Sequence, residues 1–186
     1  MKHELWYSVV VRDRHGKVVS RERRRSKSFL KQWSQLVYCH VSRTAQTITD
    51  TGGVGRVSGA SYKNFDMSTG VGDTTHGIRV GTGNTPVAID DYALETPIEE
   101  GAGAGQMNHL ACYAADPVVA APSCSILVPR SIVNNSPAEI TVREAAIYMR
   151  LGITYYGCAT RDVFGAPQAV PVAGTITVNW TIQVTV

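Results

Sequence analysis

The chain has 186 residues, of which 44% are hydrophobic and only 18% are charged, so it can bury the core of one compact domain. No window of about 18 consecutive apolar residues occurs, which excludes a transmembrane helix, and we expect no membrane partner. The N-terminal residues contain no apolar run that ends at a small-residue cleavage site, so we expect no secretory signal.

Charge is distributed unevenly along the chain. Residues 1–43 contain 11 Lys and Arg against 3 Asp and Glu, whereas residues 44–186 contain 7 against 12. A basic N-terminal part before an acidic body can bind a polyanion, or it can dock on the acidic body of a neighbouring copy. A simple solvated hairpin is the third interpretation, and the sequence leaves all three open.

The basic part begins with a predicted β-hairpin. Residues 5–12 are rich in β-branched and aromatic side chains, residues 14–17 form a turn that contains Gly16, and residues 18–25 return. Alternation along the second strand puts three arginines on one face, and a fourth lies within the same run: Arg21, Arg23 and Arg25, with Arg24. No aromatic residue interrupts this run, so nucleic acid is a possible partner but not the favoured one.

An amphipathic helix is predicted next, over residues 29–40, with Ser26 or Ser28 as its N-cap. Its apolar residues recur at 29, 33, 36, 37 and 40, which is helical spacing. This face either packs on the protein's own sheet or contacts another subunit, with Trp33 as the candidate contact. We interpret residues 1–43 as an attachment element formed by the hairpin and the helix.

Residues 44–77 are rich in Gly, Thr and Ser and contain few large apolar side chains. So little apolar area predicts an extended arm or a long loop that becomes ordered on a neighbour. Tyr62 and Phe65 are its candidate anchors.

Residues 78–186 contain short β-type runs separated by turns, which predicts an antiparallel body. Residues 175–186 alternate strictly and place Trp180 towards the core. The predicted fold class is therefore mainly β: an antiparallel jelly-roll-like sandwich with an N-terminal β-hairpin and one amphipathic helix.

The sequence does not favour a catalytic, cofactor or metal site. The glycine-rich segments 52–55 and 81–84 are not followed by a helix with a lysine, so neither resembles a phosphate-binding loop. The acidic residues at 90, 91, 95, 99 and 100 match no calcium loop. The four cysteines form no Cys-x-x-Cys pair, and we expect reduced thiols in or near the core. We therefore expect a non-enzymatic protein without a cofactor.

Four segments resemble a pattern found in structural proteins of tailed bacteriophages and prophages. The V-G-T-G segment at 80–83 precedes Asp91 and Leu94, and Ile140–Tyr148 resembles I-T-V-x-E-x-x-L-Y, with Ile147 in place of leucine. Residues 28–33 resemble an S-F-L segment ahead of that domain, and residues 161–163 and 172–178 resemble its closing strands. The resemblance implies a virion protein, made in the host cytoplasm, that assembles with copies of itself and with head, neck or tail proteins.

Two alternatives stay open from the sequence. The first is a jelly-roll coat protein of a small icosahedral virus, whose basic segment would bind packaged nucleic acid. The second is a surface-binding or carbohydrate-binding module, for which Tyr155 and Tyr156 are the aromatic pair.

Overall fold

The computed structural model describes residues 2–26 and 29–186. Half of the chain is β-strand and 7% is helix, which confirms the predicted antiparallel, mainly β fold with one helix. The elements follow one another as β1 Lys2–Arg12, β2 Val18–Arg25, α1 Lys31–Ser42, β3 Gln46–Thr49, β4 Gly55–Ser58, β5 Gly77–Gly81, β6 Asn108–Cys112, β7 Val118–Ala120, β8 Ser123–Val133, β9 Ile140–Arg150, β10 Tyr156–Val170 and β11 Thr175–Thr185.

Two sheets enclose the main core. The larger sheet has the order β2-β1-β11-β8-β6, with β7 paired to the first part of β8, and the smaller sheet has the order β10-β9-β5. Alternate residues of each long strand point between the sheets, because side chains alternate across a pleated strand. Trp180 of β11 is fully buried there, as the strict alternation predicted.

The basic hairpin belongs to the larger sheet. β1 pairs with β11 along its whole length, from Lys2 opposite Thr185 to Arg12 opposite Thr175. Leu5, Val9 and Val11 of β1 lie in the same core as β11. The hairpin is therefore one edge of the sandwich rather than an element separate from the body.

The helix begins at Lys31, two residues later than the pattern predicted. Leu30 is its N-cap and forms no side-chain cap hydrogen bond, so the predicted Ser26 cap is wrong: Ser26 donates to Asp162 instead. Ser28 lies outside the described residues. Leu36 and Cys39 are buried against the body, so the helix packs on its own sheet.

Residues 44–77 lie on the body of the same chain, contrary to the prediction of an arm that becomes ordered on a neighbour. Ile48 and Met67 enter the main core and Phe65 packs against it. Backbone hydrogen bonds join this segment to strands far away in sequence, such as Thr69 N to Cys112 O at 2.8 Å and Arg150 N to Asp66 O at 3.1 Å. A few well-placed apolar side chains, together with backbone pairing to formed strands, order a segment that composition alone describes as flexible.

Candidate interaction surface

The arginines of β2 form a row along one edge of the larger sheet. Val10, Ser8 and Trp6 of β1 lie opposite Arg21, Arg23 and Arg25, so the three arginines share the outer face, away from the core. All three are exposed. We call Arg21, Arg23 and Arg25 the arginine row.

Two residues of β1 contact two of the three arginines in the row. The Arg23 guanidinium carbon lies 5.1 Å from the centre of the Trp6 ring, which is a cation–π contact. Arg25 lies 3.3 Å from the Glu4 carboxylate, whose second oxygen accepts the Trp6 indole N–H. Among the described residues, no carboxylate forms an ion pair with Arg21. The row therefore presents more positive charge than its own chain neutralises.

Arg24 points to the opposite face and has a different role. Its guanidinium lies 2.8 Å from Glu22, and it covers Gly165 so closely that a Cβ at that position would collide with it. Glu22 also accepts the Tyr7 hydroxyl at 2.8 Å and the Gly165 N–H at 2.8 Å. Burial, followed by the hydrogen bond to Glu22, raises the pKa of Tyr7. These contacts hold β2 against the bulged part of β10.

A cavity of about 460 Å³ lies beside these contacts between β2 and β10. Tyr7 and Phe164 line it with aromatic rings, Arg24, Arg25 and Asp162 line it with charged groups, and residues 84 and 86–89 complete the lining. Ser26 donates to Asp162 within the same region. The cavity therefore combines opposite charges that already contact groups of the same chain.

A buried ion network holds the loop between β5 and β6. Glu144 is fully buried and accepts from Gly83 N, Thr96 N and Arg161 Nε, the last at 2.7 Å. Arg161 also donates to Asp91 at 2.8 Å and lies 3.7 Å from Glu95. Burial lowers the pKa of Arg161, but the hydrogen bonds to Glu144 and Asp91 outweigh it and raise that pKa. The network thus connects the V-G-T-G segment to the glutamate of the I-T-V-x-E segment. It stabilises the loop between β5 and β6.

Two further buried groups organise the side of the sandwich near β6. Arg130 is only 1% exposed and donates to the carbonyls of Leu110, Ile78 and Asp73 at 2.7, 2.9 and 2.7 Å. His109 is fully buried, and its Nδ1 lies 2.9 Å from Glu100. Burial, together with the charge of Arg130, lowers the pKa of His109 to about 4. Both groups hold loops through hydrogen bonds.

The remaining predicted contact residues have different positions. Trp33 stacks on Phe29 at 4.5 Å and meets the edge of Phe65 at 4.9 Å, so Trp33 and Phe65 pack within their own chain. Tyr62 is 87% exposed and remains available as an anchor. The structure thus does not bring Trp33 or Phe65 to the arginine row.

The aromatic pair considered for carbohydrate binding is already engaged. The Arg56 guanidinium carbon lies 4.3 Å from the Tyr155 ring centre, and Tyr156 stacks on His76 at 5.4 Å. Of the four free thiols, Cys39, Cys112 and Cys158 are buried as predicted, whereas Cys124 is exposed.

Within the described residues, no group of three or more His, Cys, Asp and Glu side chains is arranged to hold a metal ion. In the same part of the chain, no helix has the length and apolar character needed to cross a membrane.

The buried charges of Glu144, Arg161 and Arg130 match no catalytic or metal-binding spacing in the sequence. One signal was present: Glu144 alternates with Ile140, Val142 and Ala146 on one face of a predicted strand. A charged residue in register with apolar ones indicates a buried ion partner.

Comparisons of the chain with protein-family models, with curated proteins and with solved structures found no match.

Proposed function

We propose that the protein is a non-enzymatic structural protein of a tailed-bacteriophage virion, made in the host cytoplasm and assembled with copies of itself and with neighbouring head, neck or tail proteins. The observation that carries the assembly role is the arginine row: Arg21, Arg23 and Arg25 lie side by side on an exposed sheet edge. The resemblance of four segments to structural proteins of tailed phages is the reason for proposing that the assembly is a virion. We also propose that the sandwich is of jelly-roll type.

The charge distribution supports a protein partner for this edge. The N-terminal 43 residues carry the excess of positive charge, and the remainder of the chain carries an excess of carboxylates. Identical copies that place a basic edge against an acidic region of a neighbour gain electrostatic complementarity at each repeated contact. This arrangement needs no ligand other than the neighbouring subunits.

Nucleic acid is the second candidate partner for the same edge, as in the coat-protein alternative. The observation that favours it is the stacking of Arg23 on Trp6, since an arginine and an aromatic ring together can hold a phosphate and a base. Trp6 is only partly exposed and lies beneath the guanidinium. The arrangement therefore offers less stacking surface than a free aromatic ring.

Substitution of the arginine row separates the two partners. We expect Arg21→Ala/Arg23→Ala/Arg25→Ala to weaken self-association or particle assembly and to reduce its dependence on salt, because exposed charges are screened over about 8 Å at physiological ionic strength. Lys17→Ala/Lys63→Ala/Arg143→Ala removes the same charge elsewhere and is the matched control. Filter binding to random DNA is measured in parallel. Tight, salt-dependent DNA binding together with unchanged assembly of the first variant would favour the coat-protein alternative.

Membership of a particle is tested directly by mass spectrometry. Particles released from the producing culture are banded in a density gradient and washed in high salt. We expect peptides of this chain to co-band with the particles at a fixed ratio to the other structural proteins. Abundant chain in the lysate, with none in the washed band, would overturn the proposed function.

A further inference from the structure

Strand β2 is an edge strand whose free side has no partner strand within the described chain. It stands first in the strand order β2-β1-β11-β8-β6, and the described residues pair it with β1 alone. Among these residues, no backbone hydrogen bond joins segment 18–25 to anything other than β1. In an antiparallel pair, every second residue turns its N–H and C=O groups away from the partner strand. About half of the eight residues of β2 therefore present both groups on the free side.

The inner face of β2 is already occupied by its own chain. Ser20 donates to Gln168 at 2.6 Å, and Glu22 accepts the Gly165 N–H at 2.8 Å. Arg24 covers Gly165 on the same face. These contacts hold β2 in its extended form before any partner binds, so the strand loses little conformational entropy on binding. They leave the free side and the outer face of the strand for a partner.

The arginine row lies along the free side at the spacing of a β-strand. Successive members are two residues apart, which corresponds to about 6.6–6.8 Å along an extended chain. A strand added beside β2 would place alternate side chains next to the row, because opposed residues of an antiparallel pair have Cβ atoms about 4.5–5.5 Å apart. Within the described residues, Arg21 and Arg23 form no ion pair, and Arg25 pairs with Glu4 alone. Carboxylates at alternate positions of the added strand would therefore each meet an arginine.

A second copy of β2 does not fit this edge. Two β2 strands paired antiparallel would set one arginine row against another, and like charges directly opposite each other destabilise a sheet. Charged side chains on an edge strand are a common means of preventing such pairing. The same charges favour a strand of opposite sign, so they select between partners.

The complementary strand is not present in this chain. No two of its 15 Asp and Glu residues lie two positions apart, so none of its segments carries carboxylates on one strand face at the spacing of the row. A copy of the chain can offer carboxylates to the row, but not at this spacing along one segment. A strand that pairs with all three arginines therefore comes from a different protein.

Nucleic acid matches this edge less well than a peptide does. Phosphates would neutralise the arginines, but a phosphate backbone has no N–H groups to donate to the C=O groups on the free side of β2. A peptide in extended form supplies both N–H and C=O groups at strand spacing, which is how peptides add to exposed sheet edges.

We propose that β2 binds an extended segment of another protein with Asp or Glu at alternate positions, which adds as a strand beside β2 and pairs its carboxylates with the arginine row. This deepens the proposed function: it rests on that function for the presence of such a neighbour and names the chemistry by which the neighbour is held. Its test uses the purified chain and synthetic peptides, so its failure leaves particle membership to be decided by mass spectrometry.

Three capped peptides of equal length provide the test. The first alternates glutamate and threonine, the second has the same composition with all glutamates before all threonines, and the third is the first peptide methylated at its backbone nitrogens. Isothermal titration in low salt should show the first peptide binding at least about 10-fold more tightly than either control, because only this peptide combines the spacing with backbone N–H groups. Amide hydrogen exchange in residues 18–25 should slow when it binds.

Removal of the two arginines without an ion pair gives the variant arm of the test. We expect Arg21→Ala/Arg23→Ala to bind the alternating peptide about 5-fold more weakly, because two cross-strand charge pairs are lost. Lys63→Ala/Arg143→Ala removes the same charge away from the hairpin and should bind the peptide as the wild type does. A thermal melt checks that both variants are folded.

Several results would overturn the proposal. These are no binding of the alternating peptide, equal binding of the methylated peptide, unchanged binding by Arg21→Ala/Arg23→Ala, and slowed exchange only outside residues 18–25. Self-association of that variant, with no peptide binding by the wild type, would show that the row only prevents edge pairing. Tight binding of random DNA without peptide binding would assign the edge to nucleic acid instead.

Discussion

The Trp180 side chain contributes a large share of the packing in the core. Its ring is fully buried between the sheets, 6.2 Å from the Tyr7 ring. We expect Trp180→Ala to lower the free energy of unfolding by about 3–5 kcal/mol, because it leaves a large cavity. Urea unfolding followed by circular dichroism measures this loss. Trp180→Phe is the matched variant and should lose clearly less, since the indole N–H has no hydrogen-bond partner within the described part of the chain. Equal stability of Trp180→Ala and the wild type would show that the ring is not in the core.

His109 should make the fold sensitive to acid. Its pKa in the folded chain is about 4, below the ordinary 6.5, so the unfolded chain binds the proton more readily. The stability that this group contributes is complete above pH 6.5 and is lost as the pH falls from there towards about 4. Between neutral pH and about pH 5, we expect a loss of about 2 kcal/mol from this residue.

Urea unfolding of His109→Gln in the same pH range isolates that contribution. The glutamine cannot take up a proton, so the variant should lack this part of the pH slope although its overall stability is lower. Glu100 does not interfere above pH 5, because its pKa lies below its ordinary value of 4.5. An unchanged slope in the variant would show that His109 is not the titrating group.

At the scale of elements, the loop between β5 and β6 depends on Glu144. Backbone N–H groups of the loop donate hydrogen bonds to this carboxylate. Arg161 Nε donates to the same carboxylate at 2.7 Å and neutralises its charge. Glu144→Gln leaves Arg161 less compensated in a buried site, so we expect a loss of about 3–5 kcal/mol of stability. Faster proteolysis within residues 82–96 should accompany that loss.

Glu139→Gln is the control for this substitution, because Glu139 is an exposed carboxylate just before the same strand. It should change stability by no more than about 0.5 kcal/mol. If the two variants were equally stable, the ion network would not be what holds the loop.

Two aromatic residues within segment 44–77, one packed and one exposed, form a matched pair for substitution. Phe65 packs against Trp33 at 4.9 Å and His40 at 5.5 Å, whereas Tyr62 is 87% exposed. We expect Phe65→Ala to cost about 3 kcal/mol and to expose the segment to limited proteolysis, because it opens the contact between helix and loop. Tyr62→Ala should leave both measurements of the isolated chain unchanged. Cleavage of wild-type monomer throughout this segment would restore the interpretation as an arm that needs a neighbour.

Across the whole molecule, the sequence predicts strands better than contacts between distant segments. Alternation identified β11, the burial of Trp180 and the common face of Arg21, Arg23 and Arg25, because strand periodicity is local information. It did not reveal that β1 pairs with β11, or that Ile48 and Met67 reach the main core. Those contacts join residues far apart in sequence, and their energies depend on the packed neighbours rather than on local composition.

The predicted contact residues show the same difference between local pattern and distant contacts. Three of the predicted contact residues lie together in the arginine row, since one strand carries them, while Arg24, Trp33 and Phe65 are engaged by their own chain. That the row lies at the edge of the larger sheet follows from the strand order, which no single segment of sequence contains.

Electron microscopy of particles labelled at this protein tests the central claim most directly. Antibodies raised against the purified chain, carrying gold, are applied to intact particles and to particles opened by mild denaturant. The account predicts gold at one reproducible position on the head, neck or tail, with the label blocked by free protein. Tailed particles that contain no label in either state, from a culture in which the chain is made in quantity, would contradict the account.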